Sequence, residues 1–87
     1  MNYQTKIRFT SVDDIQEFVK ITRNMSGDID MTHGHDTVDA KSFLGVLSLV
    51  GSAMQKSNSV LLSFSDEDDY NTFLQQGRFL VPVSSVS

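Results

Sequence analysis

The sequence contains no cysteine, so disulfide bonds and thiolate metal sites are excluded and a reducing cytoplasm is the expected compartment. Basic residues are also few: 7 Lys and Arg stand against 11 Asp and Glu, for a formal net charge of −4. That balance argues against a nucleic-acid partner, because phosphate backbones recruit basic surfaces. No apolar run approaches the ~20 residues that span a bilayer. Residues 1–6 lack the apolar core of a signal peptide, so we expect neither export nor a membrane partner.

The 87 residues, of which 39% are hydrophobic and 21% charged, are enough for one small globular domain. A chain of this length buries about 60–65% of its unfolded surface, so we expect modest stability. No internal repeat, low-complexity segment or linker divides the sequence. Residues 1–87 are therefore predicted to form a single domain, and residues 78–87 are a tail that no periodicity places.

Apolar and polar residues alternate with a period of two in four places, which predicts strands over residues 3–9, 28–32, 37–40 and 60–64. Helical spacing predicts three helices, over residues 12–25, from Ser42 to about residue 55, and from Ser65 to Gly77. Ser11 and Ser65 have acidic partners three residues later, the spacing of a capping box. The order is βαββαβα, an α+β domain in which helices must cover the apolar face of the sheet.

The stretch around Ser42 marks the change from a strand to an apolar helix. Its hydroxyl can accept hydrogen bonds from the free N–H groups of the first helical turn, so Ser42 is the predicted N-cap. The helix that follows has one apolar face, made of Phe43, Val46, Leu47, Val50 and Met54.

This stretch resembles part of a known protein family. The residues that carry the resemblance are Lys41-Ser42-x-x-Gly45-Val46-x-Ser48-Leu49. They are similar to a segment of HPr, the histidine-containing phosphocarrier protein of the sugar phosphotransferase system, and the match is ungapped over residues 28–49. The resemblance implies the HPr fold, an open-faced β-sandwich of order βαββαβα with a four-stranded antiparallel sheet and helices on one face.

The resemblance also locates the family's active site, a histidine at the start of the first helix in the motif Gly-Ile-His-Ala-Arg-Pro-Ala. That histidine accepts a phosphoryl group from enzyme I and passes it to sugar permeases. Extending the alignment back without gaps places Ser11 at the histidine, Asp13 at the arginine and Asp14 at the proline. A serine without an adjacent base cannot replace the imidazole, and two carboxylates repel phosphate. We therefore predict a chain without phosphocarrier activity: no enzyme, no catalytic residue and no cofactor.

Ser42 has two interpretations, a plain N-cap or a regulatory site. In many Gram-positive bacteria the corresponding serine of HPr is phosphorylated, so the resemblance implies that a serine kinase of the HPr-kinase type acts on Ser42. A phosphate is electrostatically favourable at a helix N-terminus. Asp39 is expected to oppose the added charge and Lys41 to favour it.

The resemblance implies a function in binding rather than catalysis. In the family the first helix and the short helix form the docking surface for partners, which makes Phe43, Leu44 and Leu47 the expected protein-binding residues. The partner is an unidentified protein or a second copy of the chain. We predict a regulatory domain related to the sugar phosphotransferase system. There is precedent in an HPr paralogue that lacks the histidine and acts as co-effector of a transcription factor. The alternative is a structural or oligomerising module that kept only the fold.

Two further features have alternative interpretations. His33 and His35 are two positions apart at the end of a strand, so they are expected to point to one side, where Asp36 could complete a metal site. The alternative is that all three are simply the polar residues of a turn. We predict no metal. Residues 79–83 either pack back over the sheet or a helix, are disordered, or form a strand that pairs with a neighbouring chain.

Overall fold

A computed structural model describes residues 3–53 and 59–81 of the chain. Within these ranges the elements follow the order βαββαβα, which confirms the predicted order and the α+β class. They are β1 (Tyr3–Arg8), α1 (Val12–Arg23), β2 (Ile29–His33), β3 (Asp36–Asp39), α2 (Phe43–Ala53), β4 (Ser59–Phe64) and α3 (Glu67–Gln76). Met54, predicted on the apolar face of α2, lies outside the described residues. Within them, every helix is too short or too polar to span a bilayer.

The four strands form one antiparallel, open sheet in the order β1-β4-β2-β3, so that β1 and β3 are its edges. Its register aligns the buried side chains of neighbouring strands. Ile7 lies opposite Val60, and Met31 lies opposite Leu62, and all four are buried. Because strand side chains alternate, these residues share the face that the helices cover.

The core joins this sheet face to all three helices. Phe18 of α1 is completely buried, and its ring lies 5.2 Å from that of Phe9 and 5.9 Å from those of Phe73 and Phe79. Phe9 follows directly after β1 and is buried, although the strand ends one residue earlier than predicted. The aromatic rings therefore connect the end of β1, two helices and the tail.

Helix α1 begins at the predicted N-cap and is fixed at its other end by a buried threonine. The Asp14 N–H donates to Ser11 Oγ (3.2 Å), while the Asp14 carboxylate accepts from the N–H and hydroxyl of Thr10 (3.0 and 2.8 Å). Thr22 is fully buried, and its hydroxyl is shared between the carbonyl oxygens of Val19 and Ala40 (both 3.0 Å). This contact holds the last turn of α1 against the chain that leads into α2.

The predicted cap of the last helix is wrong by one residue. The N-cap of α3 is Asp66, whose carboxylate accepts from the Asp69 N–H (3.1 Å). Ser65 instead pairs with Asp28: its hydroxyl accepts from the Asp28 N–H (2.9 Å), and its own N–H donates to the Asp28 carbonyl (3.0 Å). Ser65 thus extends the pairing of β4 with β2, and this use of its hydroxyl leaves the cap to the next residue. Gly77 ends α3 at a φ of 65°, as predicted.

The described part of the tail packs back on its own chain. The Arg8 N–H donates to the Phe79 carbonyl (2.8 Å), and the Val81 N–H donates to the Lys6 carbonyl (3.2 Å). Residues 79–81 therefore lie along the free edge of β1, centred on an isolated bridge between Ile7 and Leu80. Residues 82–87 lie outside the described residues.

Candidate protein-binding site

Ser42 is the N-cap of α2, as predicted. Its Oγ accepts from the Gly45 N–H (3.2 Å), and its carbonyl accepts from the Val46 N–H (2.9 Å). A Cβ at position 45 would lie only 3.3 Å from Ser42 Oγ, so glycine leaves room for the capping hydroxyl. The spacing of Ser42 and Gly45 in the sequence is thus explained by helix capping alone.

The charged groups around Ser42 are arranged by contacts between distant parts of the chain. The Lys41 ammonium donates to the Met25 carbonyl (2.7 Å), and the Asp39 carboxylate accepts from the Lys41 N–H (2.9 Å). Lys41 therefore connects the start of α2 to the chain that follows α1, and its ammonium group is hydrogen-bonded to the Met25 carbonyl. Arg23, at the end of α1, donates from Nε to the Lys41 carbonyl (2.9 Å).

Arg23 is a residue of this site that the sequence did not indicate. It is exposed, and the rest of its guanidinium makes no other hydrogen bond within the part of the chain that the structure describes. Arg23 and Lys41 are 18 residues apart, so no local spacing signals their contact. The only available signal was the prediction that two helices cover the same sheet face and hence pack together.

The predicted binding residues differ in exposure. Leu44 is 75% exposed, whereas Phe43 and Leu47 are half-buried and pack against the core. Phe43 also lines a groove between α1 and α2, together with Gln16, Val19, Lys20 and Arg23. Leu44 thus projects from a well-anchored helix, and its neighbour Phe43 lines a groove that contains the two basic residues Lys20 and Arg23.

The start of α1 has no imidazole. Ser11 Oγ is used as the helix cap, and both histidines lie elsewhere, His33 at the end of β2 and His35 in the following turn. The N–H and hydroxyl of Thr10, together with the charge of Arg78, lower the pKa of the Asp14 carboxyl. A negative charge therefore stays beside Ser11 at neutral pH, and it repels phosphate.

The tail contains another residue whose position was not predicted from the sequence, Arg78. Arg78 lies near the start of α1, where its guanidinium forms a long ion pair with Glu17 (3.4 Å) and lies 5.0 Å from the centre of the Phe79 ring.

Ser11 and Ser42 lie at opposite ends of α1. Ser11 is the N-cap of this helix, and Ser42 follows Lys41, whose carbonyl accepts from Arg23 at the other end. The 12 residues of α1, with a rise of about 1.5 Å each, give this helix a length of about 18 Å. The two serines therefore do not form one site.

The alternation from which His33 and His35 were predicted to point to one side ends at His33. Strand β2 ends at His33, and His35 lies in the two-residue turn that begins with Gly34 at a φ of 63°. The alternation of side chains therefore does not extend to His35. Among residues 3–53 and 59–81, no three His, Asp or Glu side chains are grouped as a metal site.

Neither a protein-family model, nor a curated protein, nor a solved structure matches the chain. The candidate site is therefore defined by the geometry of its own residues. These are the exposed and half-buried apolar residues at the start of α2 and the two basic residues of α1 beside them.

Proposed function

We propose that the chain is an HPr-like regulatory domain that binds a partner protein and carries no phosphoryl group. The binding surface, here the α1–α2 surface, consists of Lys20, Arg23, Phe43, Leu44 and Leu47. The observation that carries the proposal is the exposure of Leu44, 75%, on a helix whose opposite face is buried. Contiguous exposed apolar patches that are rimmed by polar residues mark protein interaction sites. Leu44 forms such a patch with the exposed parts of Phe43 and Leu47, because Leu47 lies three positions after Leu44 and four after Phe43 on the helix.

Three observations support an HPr-like fold for this domain. The elements follow the order βαββαβα, the sheet is four-stranded, antiparallel and open, and Ser42 caps the helix that carries the resemblance. A role without phosphotransfer is supported by Ser11, which stands at the position of the family's histidine and is used as a helix cap. The role that we propose is regulation of sugar uptake or catabolism, or of a neighbouring pathway.

The composition of the α1–α2 surface defines the partner's chemistry. Leu44 and the exposed parts of Phe43 and Leu47 require an apolar patch opposite them. Lys20 and Arg23 are both exposed and favour carboxylates at the edge of that patch. We therefore propose a partner whose contact surface is apolar at its centre and acidic at its rim.

We expect Leu44→Asp to reduce capture of the partner from an extract of the native cell by more than about tenfold, or ~1.4 kcal/mol. The carboxylate would place an unpaired charge at the centre of an apolar contact. The measurement is quantitative mass spectrometry of proteins recovered on the tagged chain.

The matched control is Val12→Asp. Val12 is 53% exposed and lies at the first position of α1, where a carboxylate is favoured by the helix dipole. This variant should recover the partner as well as the unchanged chain does, and circular dichroism should show both variants folded. Equal losses from the two variants, or no loss from Leu44→Asp, would contradict the proposed surface.

Ser42 is the proposed point of control of this surface. We expect a serine kinase of the HPr-kinase type, with ATP, to add about 80 Da, one phosphate group, to the chain. Intact-protein mass spectrometry measures the shift, and fragmentation locates it. Ser42→Ala is the control and should not gain mass. An unchanged mass of the wild-type chain would end the regulatory proposal and leave Ser42 as an N-cap only.

The same surface also suits a second copy, which is the alternative function as an oligomerising module. The exposure of Leu44 is compatible with both functions, whereas Lys20 and Arg23 favour an acidic partner over a second copy that carries the same basic residues. Light scattering separates them: a homodimer of the purified chain that dissociates in the Leu44→Asp variant would favour the alternative. A chain that captures a partner and whose oligomeric state does not depend on Leu44 would favour the regulatory domain.

A further inference from the structure

The β1 edge of the sheet is covered by a short segment, residues 79–81, here called the tail strand. Within the described part of the chain, two backbone hydrogen bonds join it to β1, from the Arg8 N–H to the Phe79 carbonyl and from the Val81 N–H to the Lys6 carbonyl. Among the described residues, the contact is an isolated bridge between Ile7 and Leu80. An edge strand exposes backbone groups that pair with any suitable strand, so the tail strand occupies a strand-addition site.

The connection that brings the tail strand to β1 is short and strained. Gly77 and Phe79 have φ values of 65° and 68°, so two of three consecutive residues adopt the left-handed conformation. Glycine adopts it readily, but Phe79 is the only non-glycine residue with a positive φ in the part of the chain that the structure describes. Such a residue persists only where its surroundings hold it in place.

The ring of Phe79 provides that hold. It lies 5.3 Å from the ring of Phe9 and 5.9 Å from that of Phe18, and the Arg78 guanidinium lies over its face. The side chain of Phe79 is thus stabilised by its packing, while the positive φ of the same residue strains the backbone. Any arrangement that keeps the ring in place but straightens the connection would be favoured.

We propose that the tail strand is exchanged between two copies of the chain. Each copy then adds residues 79–81 to β1 of the other, with the same two hydrogen bonds and the same aromatic contacts. The connection after α3 extends, which releases the strain at Phe79. Short, strained hinge segments favour exchange of this kind. This inference does not depend on the proposed function. It concerns the β1 edge of the sheet, whereas α2, which carries Leu44, packs near the β3 edge.

Charge favours the β1 edge over the other free edge. Strand β3 carries an aspartate at each end, and two antiparallel β3 strands would place Asp36 opposite Asp39 of the second copy. Like charges that lie directly opposite destabilise strand pairing. Residues 79–87, in contrast, carry no charged side chain. A second copy is therefore expected to join at β1 through its tail strand.

The test uses the absence of natural cysteine. Lys6 and Val81 lie opposite each other, and residues paired in this way are close enough for a disulfide or a short thiol cross-linker. A Lys6→Cys chain and a Val81→Cys chain are mixed, unfolded, refolded together at high concentration and cross-linked. A covalent heterodimer is expected as the main product. A mixture of Lys20→Cys with Val81→Cys is the control and should give none.

Two further variants make each outcome decisive. Lys6→Cys combined with Val81→Cys in one chain reports the closed monomer at low concentration. If this chain links internally and the mixture gives no heterodimer, the proposed exchange is wrong. If neither links, the tail strand does not lie on β1 and the proposal also fails.

Inserting two glycines after Gly77 relieves the backbone strain between α3 and the tail strand and should abolish the heterodimer. An unchanged yield would show that strain does not drive the exchange and would overturn the proposal.

Discussion

Replacing Phe18 by alanine is expected to lower the free energy of unfolding by about 3–5 kcal/mol. The side chain is completely buried, and its ring contacts those of Phe9, Phe73 and Phe79 at 5.2 to 5.9 Å. Its loss removes apolar burial and leaves a cavity between β1, α3 and the tail. A domain of 87 residues has a total stability of only about 4–13 kcal/mol, so much of it would be lost.

The measurement is urea unfolding followed by circular dichroism at 222 nm. The two unfolding free energies are calculated with a common m-value only if the m-values measured for the two proteins agree. Leu44→Ala is the control, because Leu44 is the large hydrophobic residue with the greatest exposure, 75%, among those described. That variant should change stability by no more than about 0.5 kcal/mol. A loss below about 1 kcal/mol for Phe18→Ala would contradict the aromatic packing described above.

Gly27→Ala is expected to destabilise the fold by about 1–3 kcal/mol through steric overlap. A Cβ at this position would lie 2.9 Å from the Asp66 Cβ and 3.0 Å from both Asp69 Oδ2 and Ser65 Oγ. The Gly27 N–H also donates to the Asp69 carboxylate (2.8 Å). Making room for a methyl group must move the start of α3 and weaken this hydrogen bond.

The matched control is the same substitution at Gly51. This glycine lies in α2, and a Cβ there would meet no atom within 4 Å. Gly51→Ala should therefore stabilise the domain by about 0.5–1 kcal/mol, because alanine favours helix more than glycine does. Thermal unfolding of both variants gives the comparison. A stabilised Gly27→Ala variant would show that α3 does not lie as close to Gly27 as the structure places it.

The candidate site was predictable where it depends on neighbours in the sequence. Ser42 followed by an apolar helix indicated the N-cap, and the cap is present. The choice of Leu44 as a surface residue came from the resemblance to HPr, and its exposure of 75% is compatible with that choice. The contribution of Arg23 was not predictable, because its contact with Lys41 spans 18 residues and depends on how α1 and α2 pack.

Two local patterns in the sequence do not extend as far as predicted in the structure. Ser65 has the sequence of a capping box, but its hydroxyl is used by Asp28 of the neighbouring strand, and Asp66 becomes the cap. His35 follows the alternation of β2 in sequence, but Gly34 turns the chain before it. For Ser65, a contact with the neighbouring strand selected one of two possible caps. For His35, the turn at Gly34 ends the strand before the alternation reaches it.

The sequence by itself determined the order of elements, the α+β class and the caps at Ser11, Ser42 and Gly77, because periodicity and capping involve residues within about four positions of one another. Only the tertiary structure decided which side chains meet: Arg23 with Lys41, Phe79 with Phe9 and Phe18, and residues 79–81 with β1. These contacts join residues far apart in the chain, and their formation depends on the packing of the whole core rather than on any local pattern.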